Sequence, residues 1–181
     1  FINRIMTADG SFEKVELPDS REKRIEAYLA QDLIRYSPRQ VMLPPNQAQV
    51  VRIQLILPPD LKEGEYRSHM LFQEIPELDQ ESDPESGNEF SISINAIYGI
   101  SIPVIIRIGE TWAEVEISDL DFRRQAESDN PELSFKINRF GNQSVYGDIE
   151  VFFTADQGEE MLVGAVRGTA VYTDVEERRY D

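Results

Sequence analysis

The residue types that most often carry chemistry are scarce in this chain. His69 is its only histidine, and it contains no cysteine. A Ser-His-Asp site would therefore depend on this one imidazole and on a serine elbow whose glycine pattern does not occur in the sequence. His69 falls within a strand-like alternation, which favours a partly buried structural imidazole. We predict no catalytic residue and no enzymatic activity; an enzyme would need a cleft that converges on His69 or on a pair of acids.

An acidic segment, "ELDQESDPESGNE" (residues 77–89), is the strongest candidate for a metal site. Its four alternating acids are Asp79, Glu81, Asp83 and Glu85. A calcium loop of the EF-hand type needs glycine at its sixth position, where this sequence has Pro84. Paired carboxylates elsewhere carry no signal, because the chain has 34 acidic residues. We predict a solvated loop, no metal and no cofactor.

The charge balance limits the partners that the protein can have. The 34 acidic and 18 basic residues give a net charge of −16. The resulting field repels phosphate backbones and anionic lipid, so neither nucleic acid nor an anionic membrane is expected to bind. The sequence has no run of the about 18 apolar residues that a membrane-spanning helix needs, so direct membrane insertion is not expected. The charge balance leaves open a cationic partner or an electrically neutral apolar one.

Alternating apolar and polar residues predict an all-β fold. In "FSISINAIYGISIPVIIR" (residues 90–107), every second residue is apolar for nine positions, which is longer than the about 5–6 residues of an average strand. Similar rows occur in "QVVRIQLIL", in "YRSHMLFQEI" and in "WAEVEISDLDF", where Trp112, Val115 and Ile117 are expected to anchor a core. Short strands separated by turn residues are typical of a β-sandwich.

The sequence also predicts one helix and one domain boundary. "DSREKRIEAYLAQDLIRY" (residues 19–36) has helical spacing, with Asp19 or Ser20 as the N-cap, and the helix is expected to end at Pro38. A boundary is predicted near residues 107–111, where the long strand stops and a new amphipathic strand begins. The predicted domains are residues 1–108 and 109–181.

Several of these segments together resemble a known family. They are "SPRQVMLPPNQAQVVRI", "GEYRSHMLFQEIP", "YGISIPVIIR", "NRFGNQSVYGDIEVFF" and "GAVRGTAVY". They are similar to the PapD-like periplasmic pilus chaperones of the chaperone-usher pathway. The resemblance implies two immunoglobulin-like β-sandwich domains set at an angle. It also implies that this chain lacks the first strands of domain one and the last strands of domain two.

The resemblance implies a function for the long apolar row. Chaperones of this family hold unfinished pilin-like subunits by lending them a strand, a process called donor-strand complementation, and deliver them to an outer-membrane usher. The row would then serve a subunit groove, with pockets filled by alternate side chains. The implied donor side chains are Ile92, Ile94, Ala96, Tyr98 and Ile100. A strand of this kind also gives the protein a route to self-association.

The resemblance implies two further sites. An interdomain salt bridge between Glu74 and Arg107 would hold the domain angle. A basic residue of the family, which anchors the subunit's carboxylate, aligns with Pro103, so that anchor stays unassigned. The competing interpretation of the row is that it packs against its own core, and we expect this of Ile102, Val104 and Ile106.

A different class of function remains open beside the chaperone. An immunoglobulin-like adhesion or carbohydrate-binding module would cover the strand edge with its own chain. It would instead expose a cluster of aromatic residues on a loop face.

Overall fold

The computed structural model describes residues 1–16, 19–76, 96–124, 131–156 and 158–180. The all-β class predicted from the alternating pattern is confirmed. The strands are β1 (Arg4–Met6), β2 (Phe12–Lys14), β3 (Ile34–Ser37), β4 (Arg52–Leu55), β5 (Gly64–Gln73), β6 (Gly99–Ile108), β7 (Ala113–Arg124), β8 (Pro131–Gly141), β9 (Val145–Thr154), β10 (Glu160–Val171) and β11 (Glu177–Tyr180). Among the described residues, no helix is long and apolar enough to cross a membrane.

The strands form small antiparallel sheets. Strands β1 and β2, β3 and β4, β5 and β6, and β9 and β10 pair two by two. A three-stranded sheet has the order β11-β8-β7. The β5–β6 pair is regular over ten positions, from Gly64 opposite Ile108 to Gln73 opposite Gly99. This two-stranded ribbon carries most of the residues of the candidate functional site.

The predicted helix is much shorter than its apolar spacing suggested. Helix α1 covers only Arg21–Glu26, and its N-cap is Ser20, whose Oγ accepts a hydrogen bond from the backbone N–H of Lys23 at 3.2 Å. Tyr28 has φ = +60°, a left-handed conformation that stops a right-handed helix. A 3₁₀ turn (Ala30–Leu33) and strand β3 follow, so the prediction of a helix continuing to Pro38 is wrong.

Two hydrophobic clusters form, one in each half of the chain. The first consists of Ala30, Leu33, Ile34, Tyr66 and Ile106, with Phe1, Tyr36, Leu61, Val104 and Ile108 packed around it. The second consists of Phe135, Ile137 and Val171, with Leu133, Val145, Ile149, Val175 and Tyr180 around it. The predicted anchors Trp112, Val115 and Ile117 belong to neither cluster and are exposed, so that prediction is wrong. Period-2 alternation on β7 identified an apolar face but not whether another layer covers it.

Two tyrosine hydroxyls, that of the buried Tyr66 and that of the half-buried Tyr180, differ in a way that gives a direct stability test. The Tyr66 hydroxyl donates a hydrogen bond to the carbonyl of Lys62 at 2.9 Å, whereas the buried hydroxyl of Tyr180 has no hydrogen-bond partner among the described residues. Tyr66→Phe should lower the free energy of unfolding by about 0.5–1.5 kcal/mol, because it removes a satisfied bond. Tyr180→Phe should be neutral or stabilising, because it removes a desolvated, unpaired hydroxyl. Urea unfolding of both variants is the measurement, and equal losses would contradict the assignment.

Candidate functional site

Strand β6 has one edge that no described residue covers. Its inner edge pairs with β5 along the whole strand. On the far side of β5, the backbones of His69 and Ile2 exchange hydrogen bonds of 3.0 and 2.9 Å, and the N–H of Arg67 donates to the carbonyl of Tyr28 at 3.0 Å. Strand β5 is therefore paired on both sides, whereas β6 is the edge of its sheet in the described part of the chain. An exposed strand edge is a template for a strand from another molecule.

The exposure of the apolar row changes steadily along β6. Tyr98 is 76% exposed, Ile100 68% and Ile102 49%, whereas Ile106 is only 6% exposed. Val104 is half-buried and packs against the first hydrophobic cluster. The apolar side chains of the row pack against the core up to Val104. From Ile102 towards the N-terminus, no described residue covers them.

The structure describes three of the five predicted donor residues. Ala96, Tyr98 and Ile100 are all exposed, as a residue that contacts a partner must be in the free protein. Ile92 and Ile94 lie outside the described residues. Of the three residues expected in the core, Ile106 is buried, but Ile102 is not. Ile102 is exposed although it lies opposite the buried Met70, so the exposed part of the row extends further along the strand than predicted.

Strand β5 is buried on both of its faces from Gly64 to Met70. Tyr66, Ser68 and Met70 were expected on one buried face and are buried, although Phe72 is exposed. The opposite face carries Glu65, Arg67 and His69, which are buried as well. Burial was expected for His69, whereas the sequence analysis made no burial prediction for Glu65 or Arg67. Residues from the C-terminal half of the chain pack against Glu65 and Arg67, whereas Phe12 packs against His69.

The first of these contacts joins Glu65 to Ser144, in the turn between β8 and β9. Glu65 Oε2 accepts hydrogen bonds from the backbone N–H of Ser144 at 2.9 Å, from Ser144 Oγ at 2.8 Å and from Arg107 Nε at 3.1 Å. The Glu65 side chain is fully buried, whereas that of Arg107 is partly exposed. One carboxylate oxygen thus connects β5, β6 and the β8–β9 turn.

The predicted Glu74–Arg107 salt bridge is not formed. Arg107 lies directly opposite Glu65 in the β5–β6 register and pairs with it. Glu74 follows the other end of β5, where its backbone N–H donates to the carbonyl of Tyr98 at 3.1 Å. Nine residues of extended chain separate the two glutamates, roughly 30 Å at 3.3 Å per residue. The prediction named the right arginine with the wrong glutamate, since the register of the hairpin was not known.

A second contact of the same face is made by Arg67, which sequence reasoning missed. Its Nη2 donates to Asp174 Oδ2 and to the carbonyl of Arg4, and its guanidinium lies 3.9 Å from the ring centroid of Tyr172. Asp174 Oδ2 also accepts the backbone N–H of Met6 at 2.8 Å. Arg67 therefore connects β1, β5 and the segment before β11, and we call Glu65, Arg67, Ser144 and Asp174 the joint.

A cleft of about 360 Å³ opens beside the joint. Its lining includes Tyr28, Glu63, Glu65, Arg139, Asn142 and Asp174. The buried Arg139 donates to the carbonyls of Gly141, Gln143 and Val175 at 2.7, 3.1 and 3.3 Å, and Glu65 and Asp174 pair with arginines. Three of the charged groups of the cleft, Glu65, Arg139 and Asp174, are thus engaged with the protein itself. In the described part of the chain, no three metal-ligating side chains come together.

His69 lies on the same face of β5 as the joint and does not line this cleft. It is 7% exposed, with its ring edge-on to Phe12 at 5.7 Å between centroids. The expected burial of this imidazole is confirmed. Burial lowers the pKa of His69, and the charges of Arg67 and Arg4 lower it further, against a smaller opposing effect of Asp174.

The lowered pKa of His69 predicts a loss of stability in mild acid. The unfolded chain takes up the proton near the ordinary pKa of about 6.5, whereas the folded chain resists it. The unfolded state therefore binds more protons below that pH, and the free energy of unfolding should fall as the pH is lowered from about 7.5 to about 5.5. His69→Gln should show a flatter pH dependence in that window by urea unfolding. Parallel curves for the two proteins would refute the assignment.

Comparisons of the chain with protein-family models, with curated proteins and with solved structures find no match. The exposed row, the free edge and the joint are therefore the observations on which a function can be based.

Proposed function

We propose that the protein is a periplasmic chaperone of the PapD-like kind, which binds pilin-like subunits by donor-strand complementation and passes them to an outer-membrane usher. In this proposal the two halves of the chain, residues 1–108 and 109–181, are immunoglobulin-like sandwich domains set at an angle. Two separate hydrophobic clusters support that division. The joint supplies polar contacts of the kind that hold two domains in a fixed orientation.

The observation that carries the proposal is the free edge of β6 together with its exposed apolar row. A strand that only builds its own sheet gains nothing from Tyr98, Ile100 and Ile102 in water. A partner strand added at this edge would gain main-chain hydrogen bonds, and its groove would bury the row. Each large side chain buried in this way contributes about 1.5–3 kcal/mol. Burial of three such side chains, added to the main-chain hydrogen bonds, favours binding without any chemical step.

The cleft differs from what the family resemblance implies for the subunit's carboxylate. Pro103 has no charge, and the cation that lines the cleft, Arg139, already donates to three carbonyls. Binding through the strand edge does not depend on such an anchor. We therefore propose that β6 itself provides most of the affinity.

The test is co-expression of the chain in a bacterial periplasm with each pilin-like subunit encoded by the same genome. The expected result is a one-to-one complex that survives purification, with a subunit that aggregates or is degraded when expressed alone. An adhesion or carbohydrate-binding module would leave the subunits unbound and would retain instead a glycan on an array. Failure to retain any of the subunits would refute the chaperone proposal.

A further inference from the structure

Pro103 lies near the middle of β6, opposite His69. The N–H of His69 donates to the carbonyl of Ile2, and the carbonyl of His69 accepts the N–H of Ile2. Both backbone groups of His69 are therefore turned away from β6. In an antiparallel pair, hydrogen-bonded and non-hydrogen-bonded positions alternate, so His69 and Pro103 form a non-hydrogen-bonded position.

This alternation determines, for each residue of β6, whether its backbone N–H and C=O groups point to β5 or to the free edge. The nitrogen and the carbonyl of Pro103 are on the free edge, as are the N–H groups of Gly99, Ser101, Ile105 and Arg107. The hydrogen bond from the N–H of Glu74 to the carbonyl of Tyr98 agrees, because it places an even-numbered residue on the inner edge. Proline is thus located where its missing donor affects a partner and not β5.

A proline on a free edge interrupts pairing in two ways. It lacks the N–H that an added strand would accept, and its ring fills the space in which the partner's carbonyl would lie. The free edge of β6 is therefore divided into two short donor segments. One contains Gly99 and Ser101, and the other contains Ile105 and Arg107.

Exposed apolar side chains flank the donors of the first segment, whereas in the second segment Ile105 itself is 37% exposed but its two neighbours are not. Tyr98 and Ile100 flank Gly99 and are the most exposed large side chains of the row among the described residues. The second segment is flanked by Val104 and by the buried Ile106, which pack into the protein's own core. Arg107 is in addition held by Glu65 through its side chain. An added strand would gain apolar contacts before Pro103 and little after it.

From this geometry we infer that Pro103 sets the register of the bound subunit, an inference that rests on the function proposed above. The partner is an extended segment of a neutral or basic subunit with alternate apolar residues. It pairs with β6 through Gly99 and Ser101, and its pairing ends at Pro103. The net charge of −16 on each chain favours such a subunit over a second copy of this chain as the occupant.

Amide hydrogen exchange, followed by NMR on the purified complex of full chain and pilin-like subunit, tests the inference. In the free protein the amides of Ile100, Ile102, Val104 and Ile106 should already exchange slowly, because they bond to β5. In the complex the amides of Gly99 and Ser101 should slow by at least about tenfold, whereas those of Ile105 and Arg107 should stay fast. These two sets of amides separate the two segments without any mutation.

Pro103→Ala restores the missing donor and removes the ring. Its complex should show slow exchange at Ile105 and Arg107 as well, whereas the control Pro45→Ala, in an exposed turn, should keep the wild-type pattern. Slow exchange of Ile105 and Arg107 in the wild-type complex would overturn the inference and leave the proposed function intact. So would an unchanged pattern in Pro103→Ala with the amides bonded to β5 still protected.

Two other outcomes are distinct from these. A wild-type chain that binds no subunit would overturn the proposed function and with it the inference. Protection of Gly99 and Ser101 that grows with the concentration of the free protein would show that a second copy occupies the edge, which contradicts the assigned partner.

Discussion

Replacing Ile100 with Asp is expected to weaken capture of a pilin-like subunit by at least about a hundredfold. The variant loses the burial of a large apolar side chain, about 1.5–3 kcal/mol, and places an unpaired carboxylate in an apolar groove, which costs more. A loss of about 2.7 kcal/mol is already a hundredfold in affinity. Ile100 is largely exposed in the free protein, so the variant should fold normally. Titration of the purified chain against a subunit captured by the wild type measures the effect.

The matched control is Ile117→Asp on β7. Ile117 is 51% exposed, close to the exposure of the β6 row, and lies on a different sheet. The same substitution there should leave capture within about twofold of the wild type. If both variants bind as the wild type does, the β6 row is not the binding surface. If both lose binding equally, the effect is one of net charge and not of the strand.

The exposed row shows what can be predicted from period-2 alternation and what cannot. The alternation correctly predicted an all-β protein and a strand that ends near Arg107. It could not show where along β6 the core ends, because Ile100 and Ile106 are chemically identical and only their neighbours differ. Those neighbours, Tyr66 and Leu33 at one end and Phe72 at the other, become known only when the strands are paired.

The joint could not be predicted from the sequence, for a different reason. Polar residues in a strand, such as Glu65 and Arg67, indicate a solvent-facing side when only one sheet is considered. Their burial depends on Ser144 and Asp174, which are distant in sequence. A lone buried carboxylate is costly, so a partner must be present, but composition alone does not identify it among so many arginines. The family resemblance predicted that Arg107 forms a salt bridge, and the register of the β5–β6 pair then identified Glu65 as its partner.

The second large effect is expected from substitution of Glu65, the partner of Arg107. Glu65→Ala is expected to lower the free energy of unfolding by about 3 kcal/mol. Two donors of Ser144 lose their acceptor, and hydrogen bonds to a charged group contribute about 1.5–3 kcal/mol each. The contribution of Arg107 is smaller, because its side chain is half-exposed and water can replace the carboxylate. Urea unfolding followed by tryptophan fluorescence measures the loss, since Trp112 is the only tryptophan.

Two glutamate controls make this prediction specific to the joint. Glu74→Ala removes the acid that the sequence had favoured, and because Glu74 is exposed, its effect should stay within about 0.5 kcal/mol. Glu65→Gln keeps an oxygen that can accept from Ser144 and should fall between the two alanine variants. The opposite order, with Glu74→Ala the more damaging change, would restore the Glu74–Arg107 pair and refute the joint. Because Glu65 lies on the strand that pairs with β6 and holds Arg107 of β6, Glu65→Ala should also weaken subunit capture, whereas Glu74→Ala should leave it unchanged.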